Sequence, residues 1–233
     1  DAPPRPRSCI VMAHDRGSHL DGRYRQLADA LAVQRWLVAL PDFSANVSKR
    51  EEWYNSIRMY CADYFLPRLE ELGIEVVVCM GFGLGALACV HIAEGGRLHL
   101  KGGYSVIPRV VGTVLAYPEF RKPYVLNDAE LQKSIALLVA PTLVALAQGD
   151  QKEARRGGML ELQHKLLERP VEFVEFSEVP RGFLEHGDLQ KEEVRMAAAW
   201  AVDVVCEFCH RTFEAALAEV QPVEDREESS FDD

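Results

Sequence analysis

The sequence lacks an apolar run long enough to cross a bilayer. The longest, from Ile135 to Ala147, is broken by Pro141, whereas a spanning helix needs about 20 consecutive apolar residues. No membrane span is expected, and the chain reads as soluble. Positive charge is also short: 26 Lys and Arg face 36 Asp and Glu, for a formal net charge of −10. Phosphate backbones are bound by clustered Lys and Arg, so this deficit argues against a nucleic-acid partner. A disulfide framework is missing too. The six cysteines (Cys9, Cys61, Cys79, Cys89, Cys206 and Cys209) lie mostly inside apolar patterns, where a free thiol behaves as a small hydrophobe. Such usage indicates a reducing intracellular compartment. The chain begins at Asp1, with no secretory pattern after it. The expected location is the cytoplasm, or the interior of a mitochondrion or plastid if an upstream targeting segment was removed. Neither an internal repeat nor a break in composition divides the 233 residues, which suffice for one α/β domain with a full core.

What is present is an alternation of strand and helix signals. Residues 1–7, with Pro3, Pro4 and Pro6, read as an extended proline-rich arm. A single domain is expected over residues 8–219. Ser8 to Ala13 is a short apolar strand that ends at the loop His14-Asp15-Arg16-Gly17. Helical spacing covers Gly22 to Val33, a strand Trp36 to Leu40, and a long helix Trp53 to Leu72 with a kink expected at Pro67. Gly95 to Pro108 is glycine-rich and reads as a loop. Strands follow at Val110 to Ala116, Thr142 to Ala147 and Val171 to Phe176, the last near a sheet edge. Helices are expected at Asn127 to Leu138, Glu153 to Leu167 and Lys191 to Ala218. Residues 220–233 have the acidic, serine-containing composition of a flexible tail. The alternation implies a mostly parallel sheet with helices on both faces and ligand space beyond the strands' carboxyl ends.

The stretch from Glu75 to Glu94 organises the rest. A β-branched run, Val76-Val77-Val78, meets Gly81-Phe82-Gly83-Leu84-Gly85 and passes directly into the alanine-rich helix pattern of Ala86 to Ile92. This is the form of a nucleophile elbow, G-x-Nuc-x-G, in which a strained turn holds up a Ser or Cys. Here the middle position is Gly83.

These features resemble the dienelactone hydrolase family of α/β hydrolases, over roughly residues 8 to 215. The resemblance rests on the early strand and Gly17 loop, the strand stopped by Pro41-Asp42, the elbow, the Val-rich strand before Tyr117, Asp150 after Pro141 and Gly149, and Gly182-Phe183. It implies an α/β-hydrolase fold, with nucleophile, acid and base falling at Gly83, Asp150 and Arg181. Only the acid is retained. Glycine has no group to attack with, and a guanidinium stays protonated and cannot act as base. In a serine hydrolase, loss of the nucleophile alone costs nearly as much as loss of the whole triad. Glycine also accepts the elbow's backbone without the strain of a side chain. The chain is therefore expected to be a pseudoenzyme with no cofactor, acting through contacts with other protein subunits in a larger assembly.

Two other readings stay open. The backbone oxyanion amide of Leu84, with Asp15 and Arg181 nearby, would suit a small organic acid as ligand, unless Arg181 instead pairs with Asp150 and closes the pocket. An atypical hydrolase would need His186 or a cysteine in place of the lost groups, although Cys79 and Cys89 read as core residues. Two further motifs carry less. Cys206-Glu207-Phe208-Cys209-His210 matches a haem-attachment string but lies within the closing helix. His14, Asp15, His19 and Asp21 read as a polar loop rather than metal ligands.

Overall fold

In the computed structural model, the structure describes residues 5–15, 22–43, 57, 59–101, 108–120, 128–138 and 140–220. The side chains of strand β3 (Val76–Phe82) alternate between two halves of a core. Val77 and Cys79 face one half, and Val76, Val78, Met80 and Phe82 the other. This is the period-2 burial of a strand covered on both faces, and it explains why the sequence runs apolar without polar interruption.

Among the described residues, six strands form one sheet, all parallel, in the order β2-β1-β3-β4-β5-β6. They are β1 (Ser8–Ala13), β2 (Leu37–Ala39), β3, β4 (Arg109–Ala116), β5 (Thr142–Gln148) and β6 (Val171–Pro180). Helices α1 (Tyr24–Ala32) and α6 (Glu192–Val220) cover one face. The other is covered by α2 (Leu66–Glu71), α3 (Gly85–Lys101), α4 (Asp128–Leu137) and α5 (Met159–Leu166). The chain leaves β1 toward β2 and returns on its other side as β3. The switch point therefore lies between the carboxyl ends of β1 and β3, where ligand crevices form in open parallel sheets.

Several boundaries differ from expectation for identifiable reasons. Helix α3 runs to Lys101, through Gly95 and Gly96, where the composition suggested a loop. Each glycine costs a helix about 1 kcal/mol, and the buried run from Ala86 to Ala93 anchors the helix well before them. Residues 102–107 of that expected loop lie outside the described residues. Helix α5 begins at Met159 rather than Glu153, because Gly157 takes φ +75° and Gly158 is the extended N-cap. Pro67 does not simply kink a continuous α-helix. A π-helical turn, Cys61–Phe65, stands just before it, which accommodates the missing N–H and the bulk of the ring. Residues 51–56 and 58 of the expected long helix are outside the described residues. Strand β6 continues to Pro180 through a register shift between Ala147 and Gln148 of its neighbour.

No helix among the described residues is long and apolar enough to cross a membrane. Cys209 is buried within α6, and Cys206 packs beside the same cluster. Residues 1–4 of the proline arm, residues 16–21 with His19 and Asp21, and the tail from residue 221 lie outside the described residues.

Candidate functional site

The elbow after β3 has the geometry its sequence calls for. Gly83 takes φ +53°, the left-handed conformation that costs a side-chain-bearing residue about 1 to 3 kcal/mol at such a site. A Cβ on Gly85 would lie 2.0 Å from the Ala13 carbonyl oxygen, and one on Gly81 would lie 2.5 Å from the Gly85 oxygen. Both flanking glycines are thus required by close backbone approach, independent of chemistry. The turn is tied down by the Gly83 N–H donating to Ala116 O at 3.0 Å and by the Glu119 N–H donating to Gly83 O at 2.9 Å.

The space above Gly83 is filled by Asp15. A Cβ built on Gly83 would lie 2.3 Å from Asp15 Cγ and 2.4 and 2.5 Å from its two carboxylate oxygens. The Leu84 N–H, the amide expected to serve as an oxyanion donor, instead donates to Asp15 Oδ1 at 2.8 Å. Asp15 itself is held from both sides. Its N–H donates to the Tyr24 hydroxyl at 2.8 Å. Its carbonyl oxygen lies 2.7 Å from His14 Nδ1, while His14 Nε2 accepts the Phe43 N–H at 3.0 Å. The loop after β1 is thereby pinned to α1 and to the chain following β2, with its carboxylate against the elbow.

The acid and base positions come together as an ion pair. Arg181 Nε lies 3.1 Å from Asp150 Oδ1, a contact of opposite charges rather than an aligned hydrogen bond. Arg181 Nη2 donates to the Tyr117 carbonyl at 2.9 Å and lies 3.5 Å from Glu119 Oε2. Asp150 Oδ2 accepts the Ala147 N–H at 2.8 Å. Burial pushes the Asp150 carboxyl up to about 6, against the opposing pull of the Ala147 amide and the Arg181 guanidinium. Desolvation wins here because the side chain is fully enclosed. Of the two arrangements foreseen for Arg181, the structure has the Asp150 pair.

Glu185 and Arg23 escaped the sequence reading of this edge, as did the contact that the Tyr117 side chain makes there. Glu185 is 1% exposed, and its carboxyl contacts the Tyr117 hydroxyl. Burial, and then the nearby negative charge of Asp15, push it up to about 8. Arg23 donates to the carbonyls of Phe183 at 2.7 Å, Leu184 at 2.8 Å and Gly187, stapling the loop that carries Glu185. Tyr117 adopts φ +38°, uncommon for a residue with a side chain. The one sequence signal was an acid following the apolar run Phe183-Leu184, which marks a carboxyl drawn inward.

The expected substitutes for a nucleophile or base lie elsewhere. His186 is exposed and packs on Tyr24 and beside Gly22. Cys79 and Cys89 are wholly buried, and burial raises both thiols well above their ordinary range, which suppresses the thiolate that would react.

No protein-family model matches the sequence, and no curated protein matches it. Solved structures do resemble it in shape. An α/β hydrolase, MGS-M1, from a Medee basin deep-sea metagenome library superimposes with a TM-score of 0.62 at 13% identity, over 90% of this chain and 86% of that one. The thermophilic esterase Est2 of Thermogutta terrifontis gives 0.59 at 14% identity, over 89% and 86% of the two chains. The naproxen esterase of Bacillus subtilis gives 0.54 at 12%, over 88% and 84%. At such identities the likeness shows the fold: the chain has the α/β-hydrolase fold.

Proposed function

We propose that this chain, an α/β-hydrolase-fold protein of dienelactone-hydrolase type, is non-catalytic and serves as a structural or accessory subunit through contacts with other proteins. The observation that carries the reading is the Asp15 carboxylate, which occupies the volume a side chain at Gly83 would need and takes the Leu84 amide for itself. A hydrolase keeps that volume for the nucleophile and that amide for the developing oxyanion. The base position supports the same reading, since Arg181 cannot accept a proton and is engaged with Asp150. The fold is otherwise maintained, with its core intact on both sheet faces. Selection for a surface rather than a cleft would give this combination.

The test is recovery of the protein at native abundance under mild conditions. A fixed set of co-purifying proteins in constant ratio is the expected result. A chain recovered alone that hydrolyses esters or lactones would overturn the proposal.

A second reading, a binder of small organic acids, is favoured by one detail: the elbow amide already donates to a carboxylate, although that carboxylate belongs to Asp15. On this reading, removing Asp15 in an Asp15→Ala variant should open the position to acetate or propionate. Saturable chemical-shift changes at the Leu84 amide would support it, and an unresponsive amide would dismiss it.

A further inference from the structure

The turn between β5 and α5 carries three cations in five residues, Lys152, Arg155 and Arg156, in a chain whose net charge is −10. They line a cavity of about 560 Å³ together with Gln132, Gln163 and Met159. The two arginines also line a neighbouring cavity of about 390 Å³ beside Gly149, just past the end of β5. The volumes are within the range of small-molecule sites, about 300 to 1,000 Å³.

The cations are not equivalent. Arg156 is committed to β6: its Nη2 donates to the Phe173 carbonyl at 3.0 Å, Nε lies 3.4 Å from Glu175 Oε1, and the guanidinium stands 5.4 Å from the Phe173 ring centroid. Lys152 and Arg155 are exposed, and among the described residues neither side chain has a hydrogen-bond or ion-pair partner. Among the described residues that line the cavity the one acid is Glu153, which is largely buried, at 6% exposure, and has interactions of its own. The amide of Gly157, just before α5, is already taken by Glu161 Oε2, and the helix terminus is not part of the argument.

We propose that this cavity is a binding site for a small organic phosphate, separate from the elbow. The phosphate would be gripped by Lys152 and Arg155, and its short polar body would rest against Gln132, Gln163 and Met159. Two monovalent cations that line one cavity without a hydrogen-bond or ion-pair partner among the described residues suit a dianion, since a monocarboxylate would leave one of them uncompensated. The guanidinium offers a planar fork that matches two phosphate oxygens, and the ammonium adds a mobile point charge. The local positive field, opposite in sign to the protein's net charge, would concentrate anions here. Arg155 also bears electrostatically on Asp150, so occupancy would be felt at the edge of the elbow region.

The experiment is thermal melting of the full chain in increasing inorganic phosphate and, separately, glycerol phosphate, with ionic strength held constant by sodium chloride. A ligand that binds only the folded state raises Tm by mass action. A phosphate-dependent rise is expected, with a greater response to glycerol phosphate than to inorganic phosphate and none to acetate. Each of Lys152→Gln and Arg155→Gln should weaken binding about tenfold, as befits loss of one charge-assisted contact, and the double variant should abolish it. Arg181→Ala should keep the response, which separates this cavity from the elbow. Far-UV circular dichroism checks that the surface variants fold, and direct titration calorimetry on wild type gives the same answer without them. The proposal is overturned by a flat Tm, by an equal response to acetate, or by a phosphate response that survives the double variant. It is equally overturned if a poly-glutamate peptide binds through Lys152 and Arg155 while phosphate does not, because the surface would then be a dock for an acidic protein segment.

Discussion

Arg181 on one side, and Lys152 with Arg155 on the other, stand at the carboxyl edge of the sheet, and the chain treats them differently. Arg181, at the base position, is surrounded by its own protein's groups: Asp150, the Tyr117 carbonyl and Glu119. Among the described residues the side chains of Lys152 and Arg155, in the turn after β5, have no hydrogen-bond or ion-pair partner, and Arg155 acts on Asp150 only at longer range. The same contrast holds for the amides. The Leu84 N–H at the elbow is satisfied by a carboxylate brought from 69 residues away. A region whose polar groups answer one another holds itself shut, whereas a concave region with unanswered charge of one sign has capacity left for something else. In this protein the elbow, the place a hydrolase fold leads one to examine, is the former.

The largest expected effect comes from forcing a side chain into the closed region. Gly83→Ser should cost about 2 to 4 kcal/mol, from the left-handed backbone and the displaced Asp15 carboxylate. In an Asp15→Gly background the same substitution should cost at least about 1 kcal/mol less, since the two changes share one volume. Urea unfolding of the four proteins measures this, and additive losses would break the comparison at its first term.

Next is the ion pair. Arg181→Ala strands a buried carboxylate, so a loss of about 2 to 3 kcal/mol is expected at pH 8. The loss should shrink at pH 5, where Asp150, pushed up to about 6, takes a proton instead. A loss independent of pH would mean that Arg181 contributes through packing of its stem alone.

Glu185 provides a third probe. Its folded value of about 8 lies above the ordinary 4.5, so in the intervening range the folded state holds a proton that the unfolded state has released. Stability therefore falls as pH rises through that window and levels off above about 8. Below pH 6.5 the buried His164, lowered to about 4, acts in the opposite sense, which leaves pH 6.5 to 8 as the clean interval. The urea midpoint should decline across it, and Glu185→Gln should flatten the decline.

The smallest effect belongs to the open region. Replacing Lys152 and Arg155 together should change stability by less than about 0.5 kcal/mol, as for surface groups with no partner, while removing the response to phosphate. A large destabilisation would show that these cations are part of the fold after all.

Much of this was legible in the sequence, and the reason is local. Val76 to Val78 followed by Gly81, Gly83 and Gly85 marks a buried strand, a tight turn and a helix within twenty residues, because each element states its own backbone requirement. Arg181 and Asp150 were legible as a candidate pair because the resemblance to the dienelactone hydrolase family puts them at its base and acid positions, both at strand ends on one sheet edge. Asp15 was legible as a candidate ligand-binding residue beside Leu84 and Arg181, but not as the group that fills the elbow. That its carboxylate lies over Gly83 depends on how β1 and β3 are registered, with Ala13 opposite Gly81, and on the Tyr24 and His14 contacts that aim it. Glu185 and its contact with Tyr117 were missed for the same reason, since their meeting spans 68 residues. The start of α5 was misjudged where Gly157-Gly158 overrode an apparent helical pattern, and the end of α3 where an anchored helix overrode two glycines.

The central claim is that the elbow holds no working nucleophile: Gly83 offers no side chain, and the protein's own Asp15 carboxylate occupies the space above it. Its most direct test is hydrolysis of a panel of aryl esters and lactones by the wild-type protein and by Asp150→Ala in parallel. Both are expected to match the buffer rate. Turnover by the wild type that disappears in Asp150→Ala would contradict the account.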